Sequence, residues 1–282
     1  MRKPSYIIGS GWWCDAAQPD RECSGDEVIR SSAFHRLWRQ SVDTFTSPEK
    51  ILIVDSASPV PPPLDRNDER IEHLRLPLNP GHATVHTGPY CGWTLSALLG
   101  LEYAHCCDVD YFVYVEQDVL LYGEGIIERC IEHMRTPYMF GSGRGTSHPL
   151  QQSLFLVHRS AIARFVGAVQ RIRATDRQVS PEKKFCMATS RVLMRLPLRL
   201  FIEKRHWSER SWWDRRQVAA HRALLRAFGR FDTIPFGYGG YRQRGVIDFN
   251  APMFYFQHGE REDIEHYVRK YEQQYGPVKA RL

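Results

Sequence analysis

Three short, almost wholly apolar runs punctuate the first half of the chain: SYIIGS at 5–10, KILIVDS at 50–56 and DYFVYV at 110–115. Runs of this length suit strands buried on both faces, and such strands lie parallel in sheets covered by helices. Parallel neighbours need a crossover between them, and the stretches between these runs carry helical periodicity. The pattern therefore predicts an α/β layer structure on a mainly parallel central sheet. A helix is expected over residues 26–45, where Phe34, Leu37, Trp38, Val42 and Phe45 share one face.

The remaining elements follow from the same periodicities. SPVPPPLDRND is an irregular connection, because its prolines donate to neither ladder nor helix. IEHLRLP reads as an edge-like third strand, and Trp93–Ala104, apolar nearly all round, as a helix packed deep against the sheet. Ile126, Ile127, Cys130, Ile131 and Met134 form a helical stripe. Further on, QSLFLVHR, FDTIPF and PMFYFQ read as strands and residues 160–172 and 182–195 as helices. Ile264, Tyr267, Val268 and Tyr271 suit a closing helix.

At 282 residues and 43% hydrophobic content the chain can build a substantial core. No window has the roughly 18 apolar residues of a membrane span, and the apolar run near the N-terminus is too short for a signal peptide, so a cytoplasmic location is expected. Seven cysteines with no CxxC indicate neither a disulfide framework nor a thiolate zinc site. Residues 191–230 hold 11 Lys and Arg against three acids, a local +8 in a chain of net +6, which leaves −2 elsewhere. So concentrated a charge faces something anionic: a nucleotide, an anionic membrane surface, a lipid-pyrophosphate acceptor or nucleic acid.

Glu116 and Asp118 interrupt the apolar run at what reads as a strand's carboxyl end. Two residues apart in a strand project from one face, and ligands of open α/β sheets bind outside the carboxyl ends of strands. Two carboxylates there repel unless a cation lies between them. Oxygen ligation favours Mg²⁺ or Mn²⁺, which can bridge to a nucleotide's diphosphate. The plainer alternative is that the acids cap the following turn or helix.

The order of these elements resembles a GT-A glycosyltransferase of the family 2 type. ILIVDSAS resembles its second strand, NPGHATVHTGPYCGWTLSALLGLEYA its glycine-containing loop and buried helix, and YFVYVEQDVLL the strand carrying its DxD metal motif. The match spans roughly residues 5–122 and is patchy beyond. Glu116 stands where the motif has its first Asp. The resemblance implies one GT-A-like domain over 1–282, with a nucleotide-sugar-binding half to about 122 and an acceptor-binding half after it. It implies Asp118 as the metal ligand, Glu116 as a sugar or ribose contact and Asp55 as a nucleoside contact. Gly88 in the glycine-containing loop falls on the donor side, and Trp12 and Trp13 lie in the loop from Gly9 to Asp15 that embraces the base, where they either stack on it or pack against the hydrophobic core.

Inverting transfer needs a carboxylate to take the acceptor's proton. The family's acidic motif at a helix start has its nearest counterpart in SPEKKF, which makes Glu182 the expected base; Glu203, Glu209 and Asp232 are rivals, and complementing the helix dipole is the plain alternative. His258, after PMFYFQ, matches a late histidine that ligates the metal in such enzymes; a satisfied structural histidine is the plain alternative. Arg242 and Arg244, in the glycine-rich GYGGYRQRG, are read as a lid closing over the diphosphate, with an ordinary surface loop as the alternative. His82 and His86 are discounted as a zinc pair, lying in a loop, and GSGRG at 141–145 fits an acceptor-side turn. Trp207, Trp212 and Trp213 among arginines suit an interfacial helix near anionic lipid, stacking on a glycan, or inward packing. The expected function is Mn²⁺- or Mg²⁺-dependent transfer of a sugar from a nucleotide-sugar donor to a glycan or lipid-linked acceptor, with no nucleic-acid partner. A sugar-nucleotide nucleotidyltransferase and a nucleic-acid-binding protein are the alternatives.

Overall fold

The computed structural model describes residues 3–15, 25–82, 85–143, 148–202, 212–236 and 247–279. Its elements run β1 (Tyr6–Trp12), α1 (Ser32–Phe45), β2 (Lys50–Asp55), β3 (Ile71–Arg75), the small pair β4 (Gly81–His82) and β5 (Val85–His86), then α2 (Gly92–Cys106), β6 (Tyr111–Val115) and β7 (Val119–Tyr122). The chain continues through α3 (Ile126–His133), β8 (Tyr138–Ser142), β9 (Leu150–His158), α4 (Arg159–Arg171), α5 (Pro181–Ala188), α6 (Trp212–Phe228), β10 (Asp232–Thr233), β11 (Phe254–Gln257) and α7 (Arg261–Tyr275).

The central sheet has seven strands in the order β10-β8-β9-β6-β1-β2-β3. All neighbours pair parallel except β9, which runs antiparallel to both β6 and β8. The fold is thus α/β, with helices covering both faces of a mostly parallel sheet. Strand alternation divides the core into two layers. Tyr6, Ile8, Val113 and Val115 pack with the Phe34, Leu37, Trp38, Val42 and Phe45 face of α1. Ile7, Phe112 and Tyr114 pack with α2 and α4 on the other side. The close approach of α2 depends on two glycines, since a Cβ on Gly9 or Gly100 would lie 2.6 or 2.5 Å from the Phe112 ring.

Several expected elements differ. The helix expected over 26–45 is broken at Ser31, whose hydroxyl caps α1 by accepting from Phe34 N; a short 3₁₀ turn, Glu27–Arg30, precedes it. The helix expected over 182–195 ends at Ala188, where the Thr189 hydroxyl turns back to the Cys186 carbonyl (2.7 Å). FDTIPF contributes only the two residues of β10. PMFYFQ does not join the main sheet: β11 pairs antiparallel with β7 in a separate two-stranded sheet. The closing helix α7 docks there through Tyr267, whose hydroxyl donates to the Leu121 carbonyl (2.8 Å). No helix among the described residues is long and apolar enough to cross a membrane.

A candidate active site at the strand ends

From β1 the chain winds to β2 and β3 on one side of the sheet, while β6 flanks β1 on the other. The crevice at this reversal is where an open α/β sheet admits ligands. The loops leaving β1 and β6 are tied together across it: the Gln117 side chain accepts from Trp13 N (2.8 Å) and donates to Trp13 O (3.2 Å). Glu116 N donates to Ser153 O (2.8 Å) on β9, and Val119 N donates to Glu116 O (3.0 Å). The two acids therefore sit in a tight turn, not in a strand as their spacing suggested. Neither caps the next helix, for α3 starts after Gly125 with no side-chain cap.

The β7–β11 ladder supplies the partner. Its register sets Gln257 opposite Val119, which places the next residue, His258, across from Asp118. His258 Nε2 stands 3.1 Å from Asp118 Oδ2. His258 has φ of 52°, a left-handed conformation uncommon for a residue with a side chain. Gly25 packs onto its backbone, where a Cβ would approach the His258 carbonyl carbon to 2.7 Å. Asp26 N donates to Gly259 O (2.9 Å), clamping the 3₁₀ turn that ends in Arg30 against this corner.

A further wall comes from α5, with Pro181 and Glu182 in its first turn. Its placement rests on a fully buried ion pair. Lys184 Nζ donates to Asp176 Oδ1 (2.7 Å) and Ala174 O (2.6 Å), while Asp176 Oδ2 accepts from Cys91 N and Thr94 Oγ1 (both 2.7 Å) at the start of α2. Half-buried Glu182 is 3.7 Å from His148 Nδ1, and its charge reaches Glu116.

The electrostatics are those of a site short of positive charge. Burial, and then the Asp118 carboxylate, push the Glu116 carboxyl from an ordinary 4.5 up to about 8; Glu182 adds to this, while His258 and Arg30 oppose it. For Asp118 burial acts upward, but His258 outweighs it and the carboxyl is lowered. For His258 burial acts downward, and Asp118 outweighs it to raise the imidazole. Asp118 Oδ1, His258 Nδ1, Arg30 Nη1, Ser153 Oγ and Ser180 Oγ are buried with no hydrogen-bond partner. Buried polar atoms are usually satisfied, so these five are candidates for contacts with a ligand, although unpartnered buried atoms also occur elsewhere, as at His35 Nδ1, Trp38 Nε1 and Trp93 Nε1.

Were a divalent cation to bind here, Asp118 and His258 are the residues that would hold it; in this structure His258 Nε2 and Asp118 Oδ2 are hydrogen-bonded to one another at 3.1 Å. Among the described residues no cluster of three His, Cys, Asp or Glu side chains is arranged to hold a metal.

Other expected site residues lie elsewhere. Trp12 is a correction: β1 runs two residues longer than SYIIGS, so Trp12 points into the core, 2% exposed, donating to Val60 O (2.8 Å) and edge-on to His35. The half-buried Trp13 is the one beside the acidic turn. Asp55 is fully buried, accepting from Ser58 N (2.7 Å) and Arg75 Nη1 (2.5 Å). Ser58 in turn accepts from Cys14 N (2.8 Å), so Asp55 fixes the loop after β1 through hydrogen bonds. Gly88 lines an apolar cavity of about 230 Å³ with Leu76, Pro77, Pro80, Tyr90 and Leu95. His86 Nδ1 is held by the Gly88 carbonyl (2.7 Å). Asp232 accepts from Arg135 N (2.7 Å), Thr136 N (2.6 Å) and the Thr136 hydroxyl (3.0 Å) at the sheet edge, which removes it as a rival base. Arg242, Arg244, Glu203, Glu209, Trp207 and the side chains of Trp212 and Trp213 lie outside the described residues.

Sequence reasoning missed Arg30, Gln117 and His148. Gln117 was in view between the two acids; Arg30 was hidden inside an expected continuous helix, and His148 carried no motif.

Glu116 gives a pH signature. Between its ordinary 4.5 and about 8 the folded protein keeps a proton that the unfolded chain has lost, so stability falls as pH rises across that window. His258, raised above 6.5, acts in the same direction. His35, lowered to about 3 by burial, acts only below 6.5. The melting temperature of metal-free protein should therefore drop from pH 6.5 to 8, and Glu116→Gln should remove much of the drop; an undiminished slope in the variant would contradict the assignment. No protein-family model and no curated protein sequence matches the chain, so the chemistry of the site has to be read from its own residues.

Proposed function

We propose that the protein is a metal-dependent, inverting glycosyltransferase of GT-A-like architecture, moving a sugar from a nucleotide-sugar donor to a hydroxyl of a glycan or lipid-linked acceptor. The observation that carries this reading is the Asp118–His258 pair, brought to 3.1 Å by the β7–β11 register at the strand-end crevice, with one ring nitrogen and one carboxylate oxygen left without partners. Mn²⁺ or Mg²⁺ suits the pair, with Asp118 and His258 as its protein ligands. When bound, such an ion neutralises charge on a departing nucleoside diphosphate. Glu116, beside the pair, is placed to hydrogen-bond a ribose or sugar hydroxyl of the donor.

Glu182 is the general base. The acceptor oxygen bonds to the anomeric carbon while that carbon's bond to the diphosphate oxygen breaks. The electron pair leaves with the nucleoside diphosphate, and the acceptor's proton passes to Glu182. His148 Nδ1 lies 3.7 Å from the Glu182 carboxylate. The buried Lys184–Asp176 pair fixes the helix that carries Glu182 to the start of α2.

The acceptor side adjoins a basic and apolar surface. Exposed Arg191, Arg195 and Arg199 recur every four residues, with Val192 (47% exposed), Leu200 and Ile202 (both 38%) among them. Apolar side chains between arginines suit the headgroup region of an anionic bilayer, and this reading places the enzyme at the cytoplasmic face of a membrane.

Donor binding is tested by a thermal-shift panel of UDP-, GDP-, CMP- and dTDP-sugars with and without Mn²⁺. One nucleotide class should stabilise the protein only with Mn²⁺, and Glu182→Gln should keep that stabilisation while transfer falls at least about 10²-fold; indifference to every donor would sink the reading. Co-sedimentation with phosphatidylserine vesicles at low salt should exceed that with neutral vesicles and weaken in the triple Ala variant of Arg191, Arg195 and Arg199. Equal recovery with both vesicle types would remove the membrane from the account.

A further inference from the structure

The acidic corner contains a cation that neither the metal pair nor the base uses. Arg30 ends the 3₁₀ turn Glu27–Arg30, and that turn is held by backbone, not by its own side chain. Asp26 N is bonded to Gly259 O, Asp26 Oδ1 accepts from Val28 N (2.8 Å), and Gly25 nests on the His258 backbone. The guanidinium is thereby delivered to the cluster with no ion pair at contact distance and no hydrogen bond to any described residue, and Nη1 is shut off from solvent. Its field is felt by Glu116, Asp118 and His258 together.

A half-buried guanidinium facing two carboxylates would ordinarily close on one of them in a bidentate pair. Asp118 instead turns one oxygen to His258 and leaves the other without a partner, while the Glu116 carboxyl accepts no hydrogen bond from the described residues. The guanidinium and the Asp118–His258 pair are thus held at one corner, close enough for the charge of Arg30 to act on both acids and on the imidazole. An oxyanion that meets both at once is chelated by the ion and bridged by the fork, which is the shape of a diphosphate.

Resting on the glycosyltransferase reading, we propose that Arg30 is a donor-binding residue whose guanidinium takes the diphosphate oxygens of the nucleotide-sugar beside the Asp118–His258 pair. The hydrogen bond between Asp26 and Gly259 makes the two cationic elements one unit: the backbone that positions His258 also positions Arg30.

The test is calorimetric titration with inorganic pyrophosphate, with and without Mn²⁺, and with Mn²⁺ alone, on the wild-type protein and on Arg30→Gln and Arg30→Lys. Pyrophosphate binding should weaken about 10- to 100-fold in Arg30→Gln and less in Arg30→Lys, while affinity for Mn²⁺ alone is held or improves as a positive charge leaves the site. Pyrophosphate bound equally well by Arg30→Gln would overturn the role of Arg30 and leave the donor reading standing. Loss of Mn²⁺ binding together with pyrophosphate would make Arg30 merely structural. A wild-type protein that ignores pyrophosphate would overturn both readings. Arg30-dependent binding that needs no Mn²⁺ would support Arg30 and remove the metal.

Discussion

Carboxylates drawn out of water at the edge of a sheet need positive charge beside them, and the organisation of this site answers that need. The two-stranded β7–β11 ladder exists outside the main sheet and brings a residue from near the end of the chain against one from its middle. Its register puts His258 across from Asp118. The Asp26–Gly259 bond then carries the corner to a third region of sequence and brings Arg30 with it. Positive charge from distant parts of the chain is thus assembled around two acids that were neighbours from the start.

Rigidity around the corner comes from satisfied polar groups, in contrast to the unsatisfied ones within it. Asp55 ties β2, β3 and the turn at Ser58 together, and Ser58 ties that turn to Cys14. The Lys184–Asp176 pair fixes the beginnings of α2 and α5 to one another. Buried networks of this kind are costly when incomplete and specifying when complete. The Asp55 and Lys184–Asp176 networks are complete, while the crevice leaves Asp118 Oδ1, His258 Nδ1 and Arg30 Nη1 open. That division is what a preorganised binding site requires.

Much of the sheet was legible because short apolar runs between helical stretches admit few arrangements, and the faces of α1 and α7 followed from periodicity. Direction and partnership were not legible. Nothing in QSLFLVHR says that β9 runs against its neighbours, and nothing in PMFYFQ says that it leaves the main sheet for β7. Asp118 and His258 were named as a pair from resemblance, and the structure brings them together. Of the two readings open for Trp12, stacking and packing, the structure shows packing, because two more residues of β1 turn it into the core. Arg30 was invisible because the break at Ser31 that aims it is a capping event inside an otherwise helical pattern.

The central claim is that Asp118 and His258 grip a divalent cation at the end of the sheet. Anomalous diffraction at the manganese edge, from crystals soaked in Mn²⁺ with a nucleoside diphosphate, measures this directly. A single strong peak about 2 Å from both Asp118 and His258, with diphosphate oxygens completing its shell, is the predicted result. An intact Asp118–His258 hydrogen bond with no peak beside it would contradict the account.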